Sequence, residues 1–255
     1  MGRVSGKVAL VTGGAAGLGA ADCELLALEG ATVVVSDINF DAATAVANRI
    51  GNGAVAHQHD VSKESDWTKI LQRIQDDFGR LDVLVNNAGV VIVADILETT
   101  LEQFRWVNSI MSEGVFLGCK HAIPLMRSSG GGSIINVAST ASHLGYPAYF
   151  AYSAAKGAVR SMTKSIAIAC QQKHYKIRCN SIHPGSIETA LQRAAERRAG
   201  EDLVVPDGVL PMGANGSPRD VANLVLFLAS DESRFVTGAE YLIDNGATIY
   251  PEPAP

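Results

Sequence analysis

Tyr152 and Lys156 are four residues apart in Tyr152-Ser153-Ala154-Ala155-Lys156. On a helix that spacing puts both side chains on one face. A free tyrosine titrates near ~10, too high to exchange protons efficiently at neutral pH. An ammonium beside it stabilises the phenolate, and lowering the pKa by about three units takes roughly 4 kcal/mol of differential stabilisation. Ser139 lies thirteen residues before the tyrosine, just past an apolar run, where its hydroxyl can hydrogen-bond a reacting oxygen. The trio predicts proton transfer at an oxygen atom. Thr140 and Ser142 are rivals to Ser139. Tyr149 is followed four residues later by Ser153 rather than a lysine, so it suits a pocket wall better than an acid/base role.

A second cluster suits binding. Thr12-Gly13-Gly14-Ala15-Ala16-Gly17-Leu18-Gly19 follows a short apolar run and precedes a helical pattern. Glycines there let backbone N–H groups approach a pyrophosphate at a helix N-terminus. The spacing is neither G-x-G-x-x-G nor a P-loop, since no lysine follows Gly19. Asp37 ends the next apolar run, 18 residues after Gly19. A carboxylate there can accept from ribose hydroxyls and repels a 2′-phosphate. No Arg or Lys adjoins it in Asp37-Ile38-Asn39, so NAD is favoured over NADP.

Positioning these groups takes alternating strands and helices. Strands are expected at 8–11, 32–35, 81–85, 133–137, 177–182 and 240–243, with a weaker one at 54–57. These Val/Ile/Leu runs suit strands buried on both faces of a parallel sheet. Helices are expected at 17–30, 62–78, 100–126, 151–172 and 218–230, with Ser62 and Ser65 as an imperfect capping box. Strand–helix alternation over 255 residues predicts one α/β domain, a doubly wound parallel β-sheet flanked by helices. Ligands in such sheets sit beyond the carboxyl ends of the strands, where each polar cluster falls. Residues 186–217 are the least regular and are expected to form a substrate lid. Residues 251–255, Pro-Glu-Pro-Ala-Pro, cannot continue a helix and are expected to form an extended arm or a disordered tail.

Several motifs together resemble the short-chain dehydrogenase/reductase family. They are Thr12-Gly13-x-x-x-Gly17-x-Gly19, Asn86-Asn87-Ala88-Gly89, Ser139 with Tyr152-x-x-x-Lys156, His183-Pro184-Gly185 and Val236-Thr237-Gly238, and they span residues 5 to 247. The resemblance implies a Rossmann-type fold and a catalytic set of Asn108, Ser139, Tyr152 and Lys156. In it Tyr152 moves a proton while hydride passes between substrate carbon and nicotinamide. Lys156 would also hold the nicotinamide ribose, and Asn108 would complete a water-linked proton relay. The implied cofactor residues are Gly13, Ala16, Gly17, Leu18, Gly19, Asp37, Ile38, Asp60, Val61, Asn87, Ala88, Gly89, Tyr152, Lys156, Pro184, Gly185, Ile187 and Thr189. Two departures are Ala138, where many members have Ser, and Asp244-Asn245-Gly246, where many have Asp-Gly-Gly. Stretches such as Ser36-Asp37-Ile38-Asn39 are similar to bacterial hydroxysteroid and alicyclic alcohol dehydrogenases. The resemblance also implies a homotetramer, pairing the helices that carry Asn108 and Tyr152 across subunits.

Val91, His143, Leu144, Tyr146 and Tyr149 are the candidate substrate contacts. With Ile92, Val93 and Pro147 they make an apolar wall, and no Arg or Lys awaits a carboxylate or phosphate. An uncharged apolar secondary alcohol or ketone is expected. The net charge of −5, with scattered basic residues, argues against nucleic acid as a partner. No run approaches the roughly 18 apolar residues of a membrane helix, and the N-terminus lacks a signal-peptide core. Cys23, Cys119, Cys170 and Cys179 form no zinc-like spacing, which suits reduced packing residues in a cytoplasmic protein. His57, His59 and Asp60 lack a fourth ligand, so no metal is expected. Two other readings remain. One is a non-catalytic NAD-binding regulator, which has no need of Ser139, Tyr152 and Lys156 together. The other is an epimerase or dehydratase, which generally needs a larger substrate domain.

Overall fold

The computed structural model describes residues 2–189 and 214–249. Seven strands form one parallel sheet: β1 (Val8–Thr12), β2 (Thr32–Asp37), β3 (Val55–Gln58), β4 (Val83–Asn86), β5 (Gly132–Val137), β6 (Ile177–Pro184) and β7 (Glu240–Ile243). Their order is β3-β2-β1-β4-β5-β6-β7. The chain builds outward from β1 to β3, then returns to lay β4 on the other side of β1. The crevice between β1 and β4 is therefore the topological switch point.

The helices are α1 (Gly17–Leu28), α2 (Phe40–Ile50), α3 (Glu64–Phe78), α4 (Leu101–Asn108), α5 (Gly114–Ser128), α6 (Phe150–Gln172) and α7 (Pro218–Ala229). Alternate strand residues feed opposite faces of the sheet, as the two-residue period of a strand requires. Ala9, Val11, Val33, Val35, Val83 and Val85 pack under α1, α2 and α7. Val8, Leu10, Val34, Leu84 and Ile134 pack under α3, α5 and α6. A third cluster, Val107, Met111, Ala151 and Ala155, joins the α4 region to the start of α6.

Three sequence expectations are corrected. The helix expected at 100–126 is broken by a π-helical turn, Ser109–Glu113, that starts immediately after Asn108. Ser62 does not cap α3. It bonds Asp60 through both its amide and its hydroxyl, and the N-cap position falls to Lys63 without a side-chain bond. The helix at 40–50 went unrecognised because its core face is only Ala43, Val46 and Ala47; its mark is Asn39, whose side chain accepts from the Ala42 amide at 3.1 Å. Of the expected lid, residues 186–189 and 214–217 are described. Their ends are tied by a bridge between Ile187 and Gly216, with the Glu188 amide donating to Gly216 at 2.9 Å. Residues 190–213 and the tail at 251–255 lie outside the described residues.

Candidate active site

The glycine-rich turn is locked from below. The Thr12 hydroxyl accepts from the amides of Asn87 (3.0 Å) and Ala88 (3.1 Å), and the Asn87 side-chain amide donates to the carbonyls of Thr12 (2.9 Å) and Gly13 (3.2 Å). Asn87 thus staples the end of β4 to the turn after β1. A Cβ on Gly19 would sit 2.2 Å from the Gly13 carbonyl oxygen, so only glycine fits. Gly13 (φ +65°) and Gly17 (φ +54°) hold left-handed conformations that side chains disfavour. No side chain caps α1, and no acid stands in its first turn. The first-turn N–H groups, which have no partner within the helix, and its positive end fit an anionic group.

Asp37, at the tip of β2, turns one carboxylate oxygen to the Ala15 amide (3.1 Å) and the other to the Asn39 amide (2.9 Å). It lies at the rim of the cleft beside Ala16, Gly17 and Leu18. Ile38 and Asp60 border a neighbouring cavity instead. That cavity carries Lys63, Lys69 and Arg73, cations from distant sequence positions, yet each is paired with an acid of its own: Asp60 (3.1 Å), Asp66 (3.5 Å) and Asp77 (3.8 Å).

The cleft, of about 480 Å³, runs from the glycine turn across the ends of β4 and β5 to α6. It brings together Gly13, Ala16, Gly17, Leu18, Asp37, Asn87, Ala88, Gly89, Ser139, Tyr152, Lys156, Pro184, Gly185, Ile187 and Thr189 from the residues expected by sequence. Val91, Tyr146 and Tyr149 line it too. A parallel bridge between Ala94 and Tyr149 sets the loop after β4 against the start of α6. Gly19, Val61 and Asn108 do not line the cleft. The Asn108 side-chain amide donates to the Phe104 carbonyl at 2.9 Å, one turn back.

His143 and Leu144 are not lining residues. His143 packs edge-on against His183, with ring centroids 4.6 Å apart, and Leu144 is exposed. Lining residues that sequence reasoning missed include Val137, Ala138, Ala141 and Ser186; they are backbone neighbours of the chemical groups and carry no signal of their own. His57 and His59 do not form a pair. His59 falls beyond β3, buried against Trp67, and its Nδ1 lies 3.2 Å from the Ser36 hydroxyl. Burial lowers its pKa to about 4.

Ser139 follows β5; its Oγ accepts from the Ala141 amide at 3.1 Å, and its hydroxyl also hydrogen-bonds Tyr152. Lys156 is buried, with Nζ donating to the Val137 carbonyl at 2.7 Å and lying 5.5 Å from the Tyr152 ring centre. Burial brings its pKa down to about 8. The sequence expectation of a depressed Tyr152 pKa is reversed in this cleft. Burial raises it, and the hydrogen bond with Ser139 pulls the other way without overcoming that. The physical reason is that the buried phenol loses the hydration that would stabilise its phenolate.

The sequence comparisons agree on a single group of relatives. A family model described as enoyl-(acyl carrier protein) reductase matches residues 13–248. The NADP-dependent (R)-specific alcohol dehydrogenase of Lentilactobacillus kefiri is 41% identical over 249 residues, covering 96% of this chain and 98% of the relative. The 3-beta-hydroxysteroid dehydrogenase of Comamonas testosteroni is 43% identical over 245 residues, covering 95% and 96%. A cyclopentanol dehydrogenase of Comamonas sp. is 41% identical over 252 residues, covering 97% and 99%.

Proposed function

The chain belongs to the short-chain dehydrogenase/reductase family, and from that premise we propose that it is an NAD-dependent oxidoreductase interconverting an apolar secondary alcohol and its ketone. The observation that carries this reading is the meeting of Ser139, Tyr152 and Lys156 in one cleft with the glycine turn and Asp37. The named relatives act on hydroxysteroids, cyclopentanol and other alcohols, which supports a secondary alcohol as substrate.

The nicotinamide dinucleotide fits the cradle. Gly13, Ala16, Gly17 and Leu18, with the uncapped start of α1, would hold its pyrophosphate. Asp37 would take the adenosine ribose hydroxyls, and Ala88, Gly89, Pro184, Gly185, Ile187 and Thr189 would line the rest of its path. Bound there, it supplies or accepts the hydride. Ser139 would donate a hydrogen bond to the substrate oxygen and orient it, keeping its own proton. Tyr152 gives that oxygen a proton in reduction and takes it in oxidation. Lys156 fixes the proton-transfer end of α6 on Val137 and supplies positive charge that favours the phenolate. Asn108, beside the π turn, would hold a water on the proton path. Val91, Tyr146 and Tyr149 exclude water from the reacting carbon.

NAD rather than NADP rests on Asp37, whose carboxylate faces the site of a 2′-phosphate. NADP is the second reading, favoured by the NADP dependence of the L. kefiri relative and by the nearby Lys63, Lys69 and Arg73. Against it, those cations are already paired. The test is the initial rate with NAD and NADP in parallel on hydroxysteroids, alicyclic alcohols and open-chain secondary alcohols. A kcat/KM with NAD at least tenfold above that with NADP is expected; the reverse order would overturn the cofactor assignment. We also place the working enzyme in the cytoplasm as a homotetramer. Four buried, unpaired cysteines support a reducing compartment. Exposed Leu101, Trp106, Phe116 and Ile168 on α4, α5 and α6 support burial of those helices against partner subunits.

A further inference from the structure

We propose that His143, His183 and Glu240 form a binding site for a divalent ion of the zinc type, separate from the cleft. Three chain segments meet there. His143 follows the short 3₁₀ turn Thr140–Ser142 just past Ser139, His183 lies near the end of β6, and Glu240 opens β7. Ser181 pairs with Glu240 in the β6–β7 register, and His183 is two residues on from Ser181, so the three project from one face of the sheet. His143 Nε2 is 3.0 Å from His183 Nδ1 and 3.6 Å from Glu240 Oε2, and all three ligand atoms lie within 4.8 Å of one another. Tetrahedral zinc, with bonds of roughly 2.0–2.2 Å, sets its ligand atoms about 3.3 Å apart. The donor set is thus within a few tenths of an ångström of coordination geometry on its two measured edges.

The surroundings suit a ligand role. His183 is fully buried, and its Nε2 is 2.8 Å from the Ser181 hydroxyl. Nδ1 also lies 3.3 Å from the Ser139 carbonyl, so an incoming ion would displace that contact while Nε2 turns its proton to the Ser181 hydroxyl, the arrangement that orients metal-binding imidazoles. Without an ion, one proton shared between the rings satisfies the 3.0 Å contact; His143 can carry it on Nδ1 when an ion takes its place. Ser142 Oγ, 2.9 Å from His183 Nδ1, or a water completes the set.

Glu240 also holds Arg160 (2.8 Å) and Lys164. These cations repel an incoming ion, and Asp244 is the further acid that faces His143. The site is therefore a weak one, filled and emptied as ion levels change. Filling it would tie β6 and β7 to the segment that carries Ser139.

The test uses tag-free, chelator-treated full-length protein and Co²⁺ as a visible-absorption probe, with Zn²⁺ as competitor. One equivalent of tetrahedral Co²⁺ spectrum, displaced by Zn²⁺, is expected. His143→Ala should weaken it at least tenfold at an unchanged unfolding midpoint. Lys164→Gln, at a half-exposed lysine outside the cleft, should tighten binding severalfold by removing a rival cation. No saturable spectrum in the wild type, an equal spectrum in His143→Ala, or no tightening in Lys164→Gln would each overturn the proposal.

Discussion

Lys156 carries a buried charge, 4% exposed, against the Val137 carbonyl. Its pKa of about 8 in the folded chain, against ~10.4 unfolded, fixes a sign. Below pH 8 both states hold the proton and the buried ammonium weighs against folding. Between about pH 8 and ~10.4 the unfolded chain holds more protons, so stability rises with pH. Wild type should therefore gain on Lys156→Met across that window by up to about 3 kcal/mol. Urea unfolding of both proteins at pH 7 and pH 10 measures it; a pH-independent gap would contradict the assignment. Asp22 is a contrasting buried group. It is fully enclosed on α1 with neither carboxylate oxygen bonded, and burial raises its pKa well above the usual carboxylate range, so it is held as the neutral acid.

At the scale of elements, the turn after β1 and the end of β4 act as one piece through Thr12 and Asn87. Gly19→Ala places a methyl carbon 2.2 Å from the Gly13 oxygen and 2.5 Å from the Asn87 amide nitrogen, so backbone must move. A loss of about 1–3 kcal/mol in stability is expected, with NAD affinity reduced at least tenfold. Urea unfolding and NAD titration by protein fluorescence check both. Gly157→Ala on α6 is the control, because nothing lies within 4 Å of the added carbon. β1, β2, β4 and β5 were readable from sequence because each is rich in Val, Ile or Leu and almost wholly buried, whereas β3 and β7 are short and only partly buried. The cleft lining was readable where a residue type is demanded by chemistry or backbone, as at Gly17, Asp37 and Tyr152. Sequence could not show that Asn87 spends its amide on the turn, since a side chain's partner depends on the neighbouring strand. It could not show the π turn after Asn108, a register change that leaves the residue pattern intact. Nor could it bring His143 to Glu240, 97 residues apart, a meeting made by the tertiary fold, in which Arg160 bonds both Glu240 and the Ser142 carbonyl.

At the scale of the whole molecule, the cleft lies at the carboxyl ends of seven parallel strands, and no helix among the described residues is long and apolar enough to cross a membrane. Exposed Leu101, Trp106, Phe116 and Ile168 support the proposed homotetramer. Light scattering should give about four times the 26.8 kDa chain mass, and a clean single-chain mass would reject the assembly. The proposed activity depends on one claim, that Tyr152 exchanges the proton that accompanies hydride transfer. The direct measurement is NAD-linked turnover of a secondary alcohol by wild type and Tyr152→Phe, followed by reduced-nicotinamide absorbance, with NAD binding titrated in both. A loss of about 10²–10⁴-fold in kcat with NAD affinity preserved is the expected result. Turnover that survives the loss of the hydroxyl, or NAD binding without turnover in the wild type on any alcohol, would contradict the account and favour a regulator on the same fold.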